Sequence, residues 1–268
     1  MNELTLDELK QIEFDILKHF DAFCKEHNIR YFLAYGTLLG AIRYKKFIPW
    51  DDDVDVLVPR EDYERLLKIY EDNAQYKLCA FEKDGKFHYP YAKLCDLSTK
   101  KIMPGYRRND AIPGVEIDIF PLDCWHSDHE KARKEARSIS RDILFLEGSQ
   151  LRESPVKKGM KFLMWHLLSV YAKIRTDKYF NKKIVKKSKA NKQDQPAFVG
   201  SKSWCIYGER GIIPAEAFAE VTYVEFEGEM FPAPKGYDTY LTCLYGDYLP
   251  EPPKEKQKSN HSFKAYRI

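Results

Sequence analysis

An alternation of acidic and aliphatic residues, Asp53-Val54-Asp55-Val56-Leu57-Val58, constrains the fold of this 268-residue chain most strongly. A period of two predicts a β-strand, and the Val-Leu-Val end predicts that the strand runs into a buried sheet. Pro59 ends the strand, and residues 60–73 return to the spacing of an amphipathic helix. Carboxylates are therefore expected at the mouth of a buried strand, in a layered domain that contains both strands and helices.

Predicted elements of both kinds surround this strand. Thr5 and Glu8 form the pattern of a capping box at the start of an amphipathic helix over residues 5–28. Gly36-Thr37 is predicted to break the chain after a buried strand. Apolar spacing predicts strands over 29–34, 76–82, 89–96, 115–120 and 221–227, and helices over 38–44 and near 237–245. Their order predicts the α+β class, with a mixed sheet flanked by helices.

The composition changes along the chain and predicts three parts. Lysine and arginine become dense after residue 126, and residues that favour strands become rare there until about residue 200. We therefore expect a catalytic core over residues 1–126, a basic helical insertion over 127–200, and a C-terminal part over 201–268 that completes the catalytic domain. Residues 182–192 are basic and poor in apolar side chains, which favours a mobile loop.

Charge and hydropathy limit the partners and the location. The net charge is +3, from 44 basic and 41 acidic side chains, so no binding to nucleic acid is expected from the chain as a whole. The six cysteines form no CxxC pair, and we expect them to be scattered reduced thiols. The longest apolar stretch, residues 162–172, is shorter than the about 20 residues that span a bilayer. A cytoplasmic protein is expected.

A membrane contact stays open for one segment. Residues 156–175 are basic and amphipathic, as helices that lie on a membrane surface are. Such a helix would hold the protein at the inner face of the membrane, near a lipid-linked acceptor. The alternative is a helix packed on the domain.

The acidic residues predict a divalent metal site. On one strand, Asp53 and Asp55 would point to the same face with Cα atoms about 6.5–7 Å apart. A bound Mg²⁺ or Mn²⁺ offsets the repulsion between buried carboxylates, although a solvated acidic loop is the alternative. Residues 115–120 alternate in the same way and carry Glu116 and Asp118. We choose Asp118 as the third acid, to ligate metal or accept a proton, because it lies deeper in the apolar run; an edge-strand acid that faces water is the alternative.

A second group of residues is predicted to bind phosphates. Gly36, Thr37 and Leu38 stand where a helix N-terminus would offer backbone N–H groups to an anion. The segment matches neither GxxxxGK[ST] nor GxGxxG, which disfavours a P-loop or Rossmann site. Arg43 and Lys93 are the candidate cations, although a lysine that reaches the surface is an equal alternative for Lys93.

Several longer motifs contain the candidate residues or lie near the C-terminus: Tyr35-Gly36-Thr37-Leu38-Leu39-Gly40-Ala41-Ile42-Arg43, Phe47-Ile48-Pro49-Trp50-Asp51-Asp52-Asp53-Val54-Asp55, Ile117-Asp118-Ile119-Phe120-Pro121-Leu122-Asp123, Phe226-Glu227-Gly228 and Tyr245-Gly246-Asp247-Tyr248. Together these motifs closely resemble the LicD family. The chain departs from the family pattern at residues 44–47, where His-Lys-Gly-Phe is frequent, and at Asn260-His261, where two histidines are common.

The resemblance implies a nucleotidyltransferase-like fold and a specific reaction. Phosphocholine would pass from CDP-choline to a hydroxyl of a cell-surface glycan precursor of the teichoic acid, lipopolysaccharide or capsule type, and CMP would leave. Fukutin-related relatives use CDP-ribitol, so another CDP-alcohol is an alternative donor. By position, Asp53 and Asp55 match the family's metal-binding carboxylates and Asp118 its third acid. The aromatic residues available for a choline headgroup are Trp50, Tyr35, Tyr89, Tyr91, Trp204 and Tyr207.

Two other functions remain open at this point. A true nucleotidyltransferase would use the same fold and the same aspartates, but it would attack an NTP and release pyrophosphate. A membrane-surface or glycan-binding protein with an inactive site is the alternative from another class. The retained acids Asp53, Asp55 and Asp118 favour an enzyme.

Overall fold

The computed structural model describes residues 2–106, 112–151, 170–171, 174–192, 195–258 and 263–268. Within them the helices are α1 (Leu6–Glu26), α2 (Tyr35–Tyr44), α3 (Arg60–Ile69), α4 (Phe81–Asp84), α5 (His129–Gln150), α6 (Asp177–Ser188) and α7 (Tyr237–Tyr245). The strands are β1 (Asn2–Glu3), β2 (Phe32–Leu33), β3 (Asp55–Pro59), β4 (Tyr76–Ala80), β5 (Ala92–Asp96), β6 (Thr99–Ile102), β7 (Val115–Cys124), β8 (Phe198–Gly200), β9 (Ile213–Pro214), β10 (Val221–Phe226), β11 (Glu229–Pro234) and β12 (Lys264–Arg267). Helices and mixed sheets confirm the predicted α+β class.

A mixed sheet forms the centre of the fold. Its order is β2-β3-β7-β5-β4, and β8 and β9 extend it from the C-terminal end of β7. Strands β3 and β7 are parallel, whereas β5 lies antiparallel to β7. Because β7 lies between β3 and β5, acidic residues on β3 and β7 and a lysine on β5 fall on adjacent strands.

Helix α1 covers part of this sheet. The predicted capping box is present, because the Thr5 side chain accepts from the Glu8 backbone and the Glu8 carboxylate accepts from the Thr5 N–H. Its buried face carries Ile16, Leu17 and Phe20, and it packs against β7. Apolar spacing thus located the helix to within two residues at each end.

Two boundaries differ from the prediction near the acidic run. Strand β3 begins at Asp55, not Asp53, because β2 pairs only with Val56 and Leu57 and β7 pairs from Asp55 onward. Asp53 therefore lies in the preceding loop and does not share a strand face with Asp55. Helix α2 begins at Tyr35, so Gly36-Thr37 does not break the chain but forms the first turn of that helix.

The segment predicted as a mobile loop over 182–192 is wrong for most of its length. Residues up to Ser188 belong to α6, whose Phe180 and Ile184 pack with α5 in a second apolar cluster. Lys183 and Lys187 of α6 both contact the buried Asp142 of α5, at 2.7 and 2.5 Å. Two of the lysines that suggested a solvated loop therefore pair with a buried carboxylate. The division of the chain into three parts stays a prediction.

The C-terminal segment returns to the beginning of the chain. Strand β12 pairs with both β1 and β6, so residues 264–267 lie beside the strand that carries Lys101. All six cysteines are free thiols, as predicted. Within the described residues, every helix is too short or too polar to cross a membrane. Most of the amphipathic stretch over 156–175, most of the apolar stretch over 162–172 and the Asn260-His261 pair lie outside those residues.

Candidate active site

A cavity of about 500 Å³ opens where β3 begins. Its walls come from α1, the first turn of α2, the loop before β3, strands β3, β5, β6 and β7, the end of α5 and the C-terminal segment. The lining carboxylates are Glu13, Asp51, Asp52, Asp53, Asp55, Glu116, Asp118 and Glu147, and the lining lysines are Lys93, Lys101, Lys256 and Lys258. The cavity therefore combines excess negative charge with a few positively charged groups.

Strand register places three charged residues side by side. Asp55 of β3 lies opposite Asp118 of β7, and Asp118 lies opposite Lys93 of β5. Lys93 Nζ lies 2.5 Å from Asp118 Oδ1 and 3.2 Å from Glu116 Oε1. Lys93 is only 6% exposed, so the alternative of a surface lysine is wrong. Its buried ammonium orients the two carboxylates of β7 toward the cavity.

Asp51, Asp52 and Asp53 form a second acidic group in the loop before β3. One carboxylate oxygen from each can be chosen so that all three lie within 4.8 Å of one another. Sequence reasoning chose Asp53 and passed over Asp51 and Asp52, although the run of three aspartates was visible. Asp53 and Asp51 are also charged neighbours of Asp55: burial, Asp53, Asp118 and Asp51 together raise the pKa of Asp55 well above its usual value.

These carboxylates fit a hard divalent cation. They offer only oxygen ligands, which Mg²⁺ and Mn²⁺ prefer. Burial and the neighbouring carboxylates Asp53, Asp118 and Asp51 raise the pKa of Asp55, and a bound cation would favour its ionised form. The donor atoms and the excess charge therefore match the metal predicted for Asp53, Asp55 and Asp118.

The first turn of α2 is hydrogen-bonded to the start of β3. Thr37 is buried, and its Oγ1 accepts a hydrogen bond of 2.8 Å from the Asp55 backbone N–H. Leu38 is completely buried in the core. Thr37 and Leu38 are therefore not at the cavity wall, whereas Gly36 lines the cavity. Among the three residues predicted to bind phosphate, only Gly36 is positioned to approach a ligand.

We expect Gly36→Ala to lower activity with little loss of stability. An added Cβ would lie 2.5 Å from Asp51 Oδ2, so the Asp51 side chain would have to leave its position in the acidic group. Gly40→Ala is the matched control, because its Cβ would lie 2.6 Å from the rigid Lys46 backbone oxygen. Gly40→Ala should lower the melting temperature far more than Gly36→Ala, measured by differential scanning fluorimetry. Equal melting temperatures and equal activities of the two variants would contradict the position of Gly36 beside the Asp51 carboxylate.

Arg43 is not brought to the cavity. Its guanidinium donates to the backbone oxygens of Tyr248 and Pro250, the latter at 2.7 Å. These oxygens belong to a segment about two hundred residues further along the chain, which its sequence neighbours do not reveal. Arg43 therefore anchors the C-terminal segment, and this position does not support a contact with substrate phosphates.

The lysines that do line the cavity were mostly missed. Lys101 Nζ donates to Glu116 Oε1 at 2.6 Å and lies 3.8 Å from the Phe263 ring centroid. Lys256 and Lys258 are exposed residues at the cavity wall. The lysines of the C-terminal segment were not among the residues predicted to bind phosphate.

Aromatic side chains form much of the remaining wall. Tyr35, Tyr89, Tyr91, Trp204, Tyr207 and Tyr245 line the cavity and are called the aromatic wall; Trp50 lines it as well. The Tyr35 and Tyr207 rings stack at 5.5 Å, and the Tyr91 and Trp204 centroids lie 5.2 Å apart. Tyr35 adopts a φ of +43°, unusual for a bulky residue, and its N–H donates to the Tyr240 hydroxyl at 3.3 Å. Such strain is often found at functional sites.

Glu13 of α1 also lines the cavity and was missed. The sequence pattern was interpreted as apolar residues with charged residues in the gaps, yet Glu13 is only 1% exposed. It lies four residues after Leu9 and four before Leu17, so helical spacing alone places it on the buried face.

Comparisons with known proteins agree with the motifs at this site. Residues 28–147 match the family described as LicD/FKTN/FKRP, nucleotidyltransferase domain. A lipopolysaccharide cholinephosphotransferase LicD of Haemophilus influenzae is 31% identical over 280 residues, which cover 99% of each chain. An uncharacterised protein of Rickettsia typhi is 39% identical over 116 residues, which cover 43% of this chain and 35% of that protein.

Proposed function

We propose that this chain, which belongs to the LicD family, transfers phosphocholine from CDP-choline to a hydroxyl of a cell-surface glycan precursor. The observation that carries the proposal is the end-to-end similarity to a lipopolysaccharide cholinephosphotransferase, in a chain that keeps an acidic cavity. A lipopolysaccharide precursor is the first acceptor to test, and teichoic acid or capsule precursors follow. The enzyme would act in the cytoplasm, with peripheral contact at the inner face of the membrane when the acceptor is lipid-linked.

The bonds that change are those of the choline-bearing phosphorus. The acceptor hydroxyl oxygen attacks this phosphorus. The bond between this phosphorus and the bridging oxygen of the diphosphate breaks, and CMP leaves with that bridging oxygen. The hydroxyl proton passes to Asp118, whose carboxylate is oriented by a hydrogen bond of 2.5 Å from Lys93. Asp118 lies beside Asp55 on the neighbouring strand, so the residue that accepts the proton is next to another of the proposed metal ligands.

The acidic residues would hold Mg²⁺ or Mn²⁺ in this proposal. Asp53, Asp55 and Asp118 are the predicted ligands, and Asp51 and Asp52 stand close enough to Asp53 to take part. When bound, the metal would offset the negative charge of the donor diphosphate. Gly36 lets that diphosphate approach the α2 N-terminus, and Lys256 and Lys258 supply positive charge at the cavity wall. The contribution of these groups is positioning and electrostatic stabilisation.

The aromatic wall suits a quaternary ammonium headgroup. Such a cation has no N–H to donate, so aromatic faces and carboxylates are the groups that attract it. Lys93 Nζ already lies 4.9 Å from the Tyr89 centroid and 5.5 Å from the Tyr91 centroid. The faces of Trp50 and Trp204 are therefore the favoured contacts for the choline headgroup.

The donor is tested by comparing leaving groups. The purified protein is incubated with CDP-choline, CDP-ribitol or an NTP, together with Mg²⁺ or Mn²⁺ and a lipopolysaccharide precursor. We expect CMP from CDP-choline, loss of CMP release with EDTA, and an increase with acceptor. CMP from CDP-ribitol alone would assign another CDP-alcohol. Pyrophosphate from an NTP would favour a true nucleotidyltransferase, the activity that the matched domain description names.

A further inference from the structure

Glu13 is a buried carboxylate in an unusual place. It lies on the apolar face of α1, between core residues Ile12 and Phe14 in the chain and one turn from Leu9 and Leu17. Its Oε2 finds no hydrogen-bond partner among the described residues. Burying a carboxylate oxygen without a partner is costly, and an apolar residue would pack at this position without that cost. The position therefore points to a ligand that supplies the missing interaction.

The charged groups around Glu13 show which kind of ligand fits. The charged groups that affect the pKa of Glu13 are, in decreasing order of effect, Asp53, Lys101, Glu116 and Asp52. All four line the same cavity. Three of them are carboxylates. Lys101 is the one cation among them, and it already donates to Glu116 Oε1 at 2.6 Å and lies over the Phe263 ring. The surroundings of Glu13 therefore favour a cationic ligand over an anionic one.

A second carboxylate oxygen without a partner belongs to another residue that lines this cavity. Glu116 Oε2 is also buried without a hydrogen-bond partner among the described residues, whereas its Oε1 accepts from Lys93 and Lys101. Glu13 and Glu116 line the same cavity as Asp53, and a cation is the kind of ligand that would satisfy an unpartnered carboxylate oxygen there. A quaternary ammonium cannot donate to them, but a divalent cation binds carboxylate oxygens directly.

We propose that Glu13 is a ligand of a divalent cation in this cavity, together with Asp53, so that α1 forms one wall of the metal site. This inference rests on the proposed function only in placing a metal ion in the cavity. It assigns a ligating role to a residue outside the aspartate motifs. It also explains why a carboxylate occupies a core position of an amphipathic helix.

The test measures binding, not turnover. Mn²⁺ is titrated into the donor-free protein and followed by calorimetry and by the electron paramagnetic resonance signal of free Mn²⁺. Glu13→Gln keeps the shape of the side chain but removes its charge. We expect Glu13→Gln to bind Mn²⁺ at least about 10-fold more weakly, the loss that follows from altering groups around a metal. Glu26→Gln, at an exposed position of the same helix, should bind like the parent.

A melting experiment separates metal binding from folding. Without metal, Glu13→Gln should melt no lower than the parent, because it removes a buried charge that faces other carboxylates. With Mn²⁺, its melting temperature should rise less than that of the parent. Parent-like Mn²⁺ affinity and an equal rise would overturn the inference, as would a parent that binds no Mn²⁺ without donor. Choline transfer is measured separately, so a failure of the proposed function is recognised independently.

Discussion

Asp55→Asn is expected to lower the rate of phosphocholine transfer by about 10²–10³-fold, the loss caused by removing one preorganised electrostatic group from an active site. Asp55 stands at the start of β3, opposite Asp118, with its backbone N–H fixed by Thr37 Oγ1 at 2.8 Å. The asparagine side chain keeps the shape but cannot offset the charge of a metal ion. The loss should therefore appear in kcat and not only in the KM for the donor.

The same substitution should leave the fold intact. Burial and the charges of Asp53 and Asp118 disfavour the ionised form of Asp55, so asparagine removes an unfavourable charge from the metal-free protein. We expect an unchanged or higher melting temperature in EDTA, as is common when a functional residue is replaced. Glu71→Gln, at an exposed position, is the control for loss of a carboxylate charge. Retention of more than about a tenth of the activity by Asp55→Asn would contradict the role of Asp55.

Lys93→Met is expected to destabilise the protein by about 3–5 kcal/mol, because it removes the cation that pairs with Asp118 and one of the two cations that pair with the buried Glu116. Lys93 Nζ lies within 3.2 Å of both Glu116 and Asp118, and the side chain is 7% exposed. Its carboxylate and aromatic neighbours hold the pKa of Lys93 well above its usual value despite burial, so the ammonium stays charged at neutral pH. Methionine fills a similar volume but removes the charge.

The measurement is urea unfolding in EDTA, followed by circular dichroism. Lys77→Met on the neighbouring strand β4 is the matched control, since Lys77 is exposed and its replacement should cost little. The double variant Lys93→Met with Glu116→Gln should recover part of the loss, because the charge of the buried Glu116 is then removed. A decrease of less than about 1 kcal/mol in the free energy of unfolding of Lys93→Met would indicate that Lys93 and Glu116 are not buried as described.

Period-two patterns were enough to predict that Asp55 and Asp118 lie on neighbouring strands of one sheet. Asp118 and Asp55 lie at the start or middle of strongly alternating runs, and the strands that carry them are parallel neighbours. Lys93 was identified by the same reasoning, because a lysine in an apolar strand needs an anionic partner. Its partners are carboxylates of the protein itself, which the local sequence could not reveal.

Long-range contacts account for the residues that were misplaced or missed. Arg43 was assigned to phosphates because nothing near it in sequence shows that Pro250 returns to its guanidinium. Lys256 and Lys258 reach the cavity because the chain end pairs with β6 through β12. Glu13 was different: helical spacing placed it on the buried face, and the acidic residue there was the signal that we overlooked.

The most direct test of the proposed function follows the choline headgroup into the acceptor. The protein is incubated with Mn²⁺, CDP-choline labelled in its methyl groups and a choline-free lipopolysaccharide precursor, and the glycan is analysed by mass spectrometry and ³¹P NMR. We predict one phosphodiester-linked phosphocholine on the glycan for each CMP released, and no product with EDTA or with Asp55→Asn. Release of CMP without labelled glycan from any of the lipopolysaccharide, teichoic acid or capsule precursors, or no reaction at all, would contradict the proposed transfer.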